Sequence, residues 1–120
     1  MDKYNHWLGK LFGWFNHEKN YAVTFGQTTY YSCLEENVVN WWRRHEDQHK
    51  TQFAQDGWIK FLSKYIWQYL CKGYYNIDYE IEARKIAQAY GGPVIDVSED
   101  PTRIVSIIII LICALIWMFL

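Results

Sequence analysis

Residues 41 to 52 read WWRRHEDQHKTQ, and within them His45, Glu46 and His49 form the pattern H-E-x-x-H. Two histidines four apart on a helix project their rings from the same side, about one turn from each other. That is the separation at which two ligands hold one tetrahedral zinc ion. The glutamate beside the first histidine then points to the open side of the ion without binding it, where it can accept a proton from a zinc-activated water whose pKa falls to about 7. The plainer alternative is a pair of buried histidines hydrogen-bonded inside a helical bundle, and it gives Glu46 no packing reason to stand between them. A catalytic zinc usually has three protein ligands and keeps a fourth position open. Glu80 and Glu82, in NIDYEIEARK, are the main candidates for the third. At ~100° per residue each lies about 80° from the centre of that segment's apolar face, on opposite flanks, so helix geometry does not choose between them. His6 and His17 are further candidates in the amino-terminal segment, where the polar neighbours of His17 suggest solvent.

The elements that must position these groups follow from the periodicity. Tyr4, Trp7, Leu8, Leu11, Phe12 and Phe15 have the spacing of one helical face; the expected amphipathic helix of residues 1–20 packs on the domain or lies in a lipid interface. YAVTFGQTTYYS, with Gly26-Gln27 at its centre, reads as a β-ribbon with a two-residue turn. Ser32-Cys33-Leu34-Glu35 matches the capping box S-x-x-E and predicts the start of the helix that carries the motif. On it Leu34, Val38, Trp41, Trp42 and Phe53 share a stripe with His45 and His49, so both imidazoles are expected to face inward. Gly57 interrupts; a second helix continues through Trp58, Phe61, Leu62, Tyr65, Ile66, Tyr69 and Leu70. After the loop CKGYYNID a third helix is expected, capped by Asp78 and stopped by Gly91-Gly92-Pro93.

The chain has 120 residues and a net charge of -1. No basic run stands out, which excludes the electrostatic footprint of a nucleic-acid binder. Its 7 Trp, 10 Tyr and 6 Phe bury much area per residue, which a soluble part this short needs, and some of these rings are expected to meet lipid or a partner. Three scattered cysteines, Cys33, Cys71 and Cys113, do not make a disulfide framework. No cleavable signal peptide is visible at the amino terminus. From Ile104 to Leu120 the chain reads IVSIIIILICALIWMFL without a charge; as a helix it spans about 26 Å, at the short end of the range for crossing a bilayer. The expectation is a tail anchor, single-pass, with residues 93–103 as the connection and the soluble domain on the cytoplasmic side. Arg103 beside the segment agrees. Arg43 and Arg44 read as a solvated face or as contacts to lipid headgroups.

Across about residues 21 to 90, the H-E-x-x-H helix preceded by a short ribbon, Gln52, an aromatic helix, a Gly-Tyr loop and Tyr79-Glu80-Ile81-Glu82-Ala83 resemble gluzincin-type metalloproteases. The likeness is to the smallest of them, the minigluzincins and related phage and bacterial zincin-like domains. The resemblance implies a mainly α fold with a short β-ribbon (α+β), a zincin-like domain over residues 21–92, and Zn2+ as cofactor. In that family the third ligand is the glutamate of E-x-x-A, which maps onto Glu80 with Ala83. The acidic residue often found four positions after the ligand is replaced by Arg84, and the thirty residues between His49 and Glu80 are a longer interval than in thermolysin-like enzymes. Zinc on His45, His49 and Glu80 with Glu46 as general base implies hydrolysis of a peptide or protein substrate. Tyr74, Tyr75 or Tyr79 would donate to the oxyanion, with Tyr75 carried as the catalytic candidate. Two other expectations stand beside this one: a non-enzymatic membrane-anchored structural or lysis-type protein of a membrane-containing virus or phage, and a peptidoglycan-peptide hydrolase.

Overall fold

β-branched and aromatic residues on either side of Gly26-Gln27 pair as strands β1 (Ala22–Phe25) and β2 (Thr28–Tyr31), antiparallel, in the register Ala22↔Tyr31 to Phe25↔Thr28. Gly26 supplies the positive φ of 64° that the two-residue turn requires. The structure, a computed structural model of the chain, describes residues 1–120 except Val97 and Glu99. The outer edge of β2 is covered: the Lys3 amide donates to the Thr29 carbonyl at 2.9 Å, and the Tyr31 amide donates to the Lys3 carbonyl at 2.8 Å.

Helix α1 (Trp7–Phe15) lies on this ribbon through its two glycines, both buried. The packing is backbone on backbone. A Cβ on Gly9 would sit 2.6 Å from the Ser32 nitrogen and 2.7 Å from the Tyr31 carbonyl carbon. The face opposite, with Trp7, Leu11, Trp14 and Phe15, is left exposed. Glycine here is a requirement of close approach and not a helix-breaking accident.

Helix α2 (Asn40–Lys72) is helical throughout except at Gly57, whose φ of 78° and ψ of 166° break it as the sequence predicts. Eight residues along a straight helix are about 12 Å apart. The ring centroids of Phe53 and Phe61 nevertheless lie at 3.8 Å, so the chain bends sharply at Gly57 and lays the half carrying residues 58–72 against the half carrying the motif. Phe61 also stacks on Tyr79 at 4.3 Å. These three rings with Ile77 form the core, and Leu62, Tyr65, Tyr69 and Tyr74 pack against it.

The capping-box expectation is corrected. Residues Glu35–Asn37 form one 3-10 turn, and α2 starts later, after Val39. The Ser32 hydroxyl instead accepts from the Tyr21 amide at 2.8 Å and donates to the Lys19 carbonyl at 3.2 Å, which ties the ends of the ribbon. Helix α3 (Asp78–Ala89) includes Asp78 as its first residue and not as its cap. The Asp78 amide, free at the helix start, donates to Gln68 Oε1 at 2.8 Å, while Gln68 Nε2 donates back to Asp78 Oδ2 at 2.9 Å.

Helix α4 (Thr102–Phe119) is long and apolar enough to cross a membrane, and among its described residues Ser106 alone is buried. The segment before it, expected as a plain connection, includes Val97 and Glu99, which lie outside the described residues, but its end is docked on the domain. Thr102 Oγ1 accepts from the Tyr74 amide at 2.8 Å, Asp100 Oδ2 accepts from the Tyr75 amide at 2.9 Å, and Arg103 donates to the Leu70 carbonyl at 3.1 Å. Gly73 makes room for this, because a Cβ there would lie 2.5 Å from Asp100 Oδ2. The fold is thus α+β, mainly helical, with a two-stranded ribbon and one apolar carboxyl-terminal helix.

Gly9→Ala should lower the unfolding free energy by about 1–3 kcal/mol, the usual cost of overpacking, when measured by chemical denaturation of the full chain in detergent micelles. An unchanged midpoint would mean that α1 does not need its contact with the ribbon.

Candidate metal centre

The bend at Gly57 and the stack of Phe53, Phe61 and Tyr79 bring the first turn of α3 against the motif half of α2. His45 Nε2 lies 3.1 Å from Glu80 Oε2, His49 Nε2 lies 3.1 Å from Glu80 Oε1, and the two imidazole nitrogens are 3.2 Å apart. These three residues form a cluster whose ligand atoms all fall within 4.8 Å of one another. With metal–ligand bonds of about 2.0–2.1 Å, the corners of a tetrahedron are ~3.3 Å apart. The donor atoms already have that spacing. Two nitrogens and a carboxylate so placed need a cation or a shared proton among them, and two imidazoles with one carboxylate are a common zinc donor set. Among the sequence candidates the geometry brings Glu80, and not Glu82, to the imidazoles.

The electrostatics agree with a site made for positive charge. Burial alone would lower the His49 imidazole, but the Glu80 carboxylate outweighs it and lifts the pKa to about 9. Burial likewise works against the charge on Glu80, and His49 and His45 still hold its carboxyl well below the usual range.

Around the triad stand partners that fix its geometry. The side chain of Gln52, 2% exposed, has Oε1 2.8 Å from His49 Nδ1 and donates from Nε2 to the Tyr79 carbonyl at 2.9 Å. Its amide orientation is set by the Tyr79 carbonyl, so Nδ1 of His49 is the protonated nitrogen and Nε2 is free to ligate. The Tyr65 hydroxyl donates to Glu80 Oε1 at 2.9 Å. Glu82, two residues after Glu80, accepts from Gln52 Nε2 at 3.2 Å and from Gln48.

Glu46 is buried outside the ligand set. Thr24 on β1 donates its hydroxyl to Glu46 Oε2 at 2.8 Å; having one proton to give, it receives in turn from Thr29 on β2 at 2.7 Å. Burial pushes the Glu46 carboxyl up, and the nearby histidines only partly counter it. A carboxylate with raised pKa, fixed by a hydroxyl and next to a cation site, is suited to take and return a proton.

The structure does not bring Tyr75 to this site. Its amide donates to Asp100, its carbonyl accepts from Arg84, and its ring lies 5.7 Å from the Arg84 guanidinium carbon. Arg84, the residue standing where an acid was expected, is thus part of what holds Tyr75 elsewhere. Tyr79 is turned away as well, with its hydroxyl on Asp56 and its ring in the core. Tyr74 does face the site: it lines the adjoining cavity, and burial followed by the Glu80 charge pushes its phenol well above the usual range. His6 caps α1, accepting from the Leu8 amide at 3.1 Å, and His17 is exposed; neither joins the cluster.

The chain matches no known protein family, no curated protein and no solved structure.

Beside the triad opens a cavity of about 440 Å³. Glu46, His49 and Glu80 form its polar end; Val23, Phe25, Phe61, Leu62 and Ile66 contribute to its apolar walls. Sequence reasoning missed Thr24, Gln52 and Tyr65 in these roles. Gln52 carried a signal, since it lies three residues after His49 on the inward stripe; Tyr65 was one aromatic among many.

Purified full chain should bind zinc near one ion per chain by atomic emission. His45→Ala and Glu80→Ala should abolish this, Glu82→Gln should not, and Gln52→Leu should weaken it by about 10–100-fold, as loss of a ligand-orienting partner does. Full occupancy in Glu80→Ala would remove Glu80 from the ligand set.

Proposed function

We propose that this protein is a membrane-anchored, zinc-dependent metallopeptidase of gluzincin type. The observation that carries the reading is the meeting of His45, His49 and Glu80 from two helices, with the buried carboxylate of Glu46 beside them and outside the ligand set. A purely structural bundle has no use for four ionisable groups gathered at the end of an apolar cavity, because burying them costs several kcal/mol unless all are paired.

When bound, zinc polarises the scissile carbonyl and lowers the pKa of a water to about 7. With the ion held by His45, His49 and Glu80, Glu46 would take a proton from the attacking water and return it to the leaving amine as the carbon–nitrogen bond breaks. The Thr24 side chain positions Glu46 and takes no direct part in the proton transfer. Tyr74, kept protonated by its surroundings, donates to the developing oxyanion. This role passes to Tyr74 from Tyr75.

β1 offers the substrate an edge. The Ser32 amide bonds to the Tyr21 carbonyl, and Thr29 and Tyr31 use their backbones on Lys3. The alternation of an antiparallel pair then turns the backbone groups of Ala22 and Thr24 away from β2, on the strand that lines the cavity. An extended peptide can add there as a strand, placing an apolar side chain in the cavity. Arg103 at the head of α4 supports a single pass with this domain on the cytoplasmic side.

Glu46→Gln should keep zinc at one per chain and reduce hydrolysis of a fluorogenic peptide with a central Phe or Leu by about 10²–10⁴-fold. Tyr74→Phe should lower kcat by about 10²-fold with little change in KM, whereas Tyr75→Phe should leave kcat unchanged. Undiminished turnover in Glu46→Gln would remove the hydrolase mechanism.

A further inference from the structure

We infer that the mouth of the cavity faces the bilayer surface, and that the substrate is a polypeptide held at that surface by its own apolar or lipid-modified segment. The inference rests on the hydrolase reading for its second half and, for its first, on geometry together with α4 crossing a membrane.

The walls of the cavity are joined directly to the apolar helix. Tyr74 lines the cavity, and its amide is bonded to Thr102, the first residue of α4. Tyr69 lines it too, and the next residue, Leu70, holds Arg103 through its carbonyl. No flexible spacer separates these contacts from α4, so a membrane crossed by α4 begins within about one helical turn of the cavity wall. One turn before Leu70, Ile66 lines the cavity while 57% exposed, and Trp67 beside it is 68% exposed. Phe12 and Asn16 of the amino-terminal helix segment also line the cavity, and next to them Trp14 and Phe15 are exposed at 71% and 64%. Large exposed aromatics on a water-soluble surface are a liability, whereas Trp at the level of lipid headgroups is favoured. Exposed apolar side chains thus stand both beside the cavity and along α4, which is joined to the cavity wall, and a lipid bilayer is the occupant that covers both.

This arrangement selects substrates by location. A peptide in free solution must reach a mouth that the membrane partly covers. A peptide tethered to the same membrane meets it at a high effective concentration.

The test uses the full chain in vesicles of phosphatidylcholine and phosphatidylglycerol, with Cys33, Cys71 and Cys113 replaced by serine. A nitrobenzoxadiazole fluorophore is attached through Ile66→Cys, Asn16→Cys or, nearer the Gly57 bend on the same helix as Ile66, Lys60→Cys. A far-ultraviolet circular dichroism spectrum matching that of the unsubstituted chain checks that each variant is folded. Doxyl-labelled lipid should quench the probes at 66 and 16 several-fold more than the probe at 60. Quenching at 66 and 16 no stronger than at 60, or at 66 without 16, overturns the orientation. In the second arm the unlabelled chain in the same vesicles receives one apolar fluorogenic peptide, either free or palmitoylated. The palmitoylated form should be cleaved about tenfold faster or more, and equal rates overturn the substrate class. If neither form is cleaved while the probes are quenched as expected, the hydrolase reading and the substrate class fall together and the orientation stands.

Discussion

Glu80 is a carboxylate almost wholly removed from water, lying across two imidazole nitrogens that belong to another helix. Such a group is tolerable only if positive charge meets it at short range, because removal of an ion from water costs several kcal/mol even after relaxation. The positive charge, as proton or as metal, must therefore be held at one place by residues about thirty positions away in the chain. Much of the architecture serves that requirement. Gly57 adopts a backbone conformation open to glycine, α2 bends there, and the stack of Phe53, Phe61 and Tyr79 locks the bend against α3. Gln68 then satisfies the amide at the start of α3, and Gln52 reaches across to the Tyr79 carbonyl. Each of these contacts fixes the distance between the motif helix and the first turn of α3.

A core so rich in aromatic rings suits a small domain built around such a charged centre. Rings bury large area with few rotatable bonds. Where they reach the centre they also bring hydroxyls, as Tyr65 does for Glu80. The ribbon adds a second layer of control through Thr29 and Thr24, whose hydroxyls run in sequence to Glu46. Strand, motif helix and third helix each contribute one constraint to the same few cubic ångströms. None of the three could hold the ionisable groups in place alone.

Much of this was legible from spacing. The i, i+4 separation of His45 and His49 is a local property of a helix, so their convergence follows from sequence alone. Gly57 as a break, the ribbon around Gly26 and the apolar helix from residue 102 are also local signals, strong because each depends on a single residue type or a single period. The choice between Glu80 and Glu82 was not legible from the helix, since the two flank its apolar face equally and the decision lies in how α3 is rotated against α2. Ser32 misled for a related reason. A serine hydroxyl serves a helix start or a ribbon end equally well, and here Tyr21 and Lys19, adjacent only once the ribbon has closed, took it. Tyr75 failed because its backbone and ring are claimed by Asp100 and Arg84, contacts that no period in the sequence announces.

The joint between the domain and α4 links the two halves of the chain's chemistry. Asp100 and Thr102 satisfy the amides of Tyr75 and Tyr74 in the short turn between α2 and α3. That turn sets where α3 begins, and α3 begins with Glu80 in its first turn. A displacement of α4 relative to the domain would be felt first at these two amides, then at Tyr74, and within one further turn at the carboxylate of the triad. The helix that is apolar enough to lie in a membrane and the group that completes the charged centre thus share one short, hydrogen-bonded turn. In a fold this small, the placement of the apolar helix and the shape of the site are set by the same contacts.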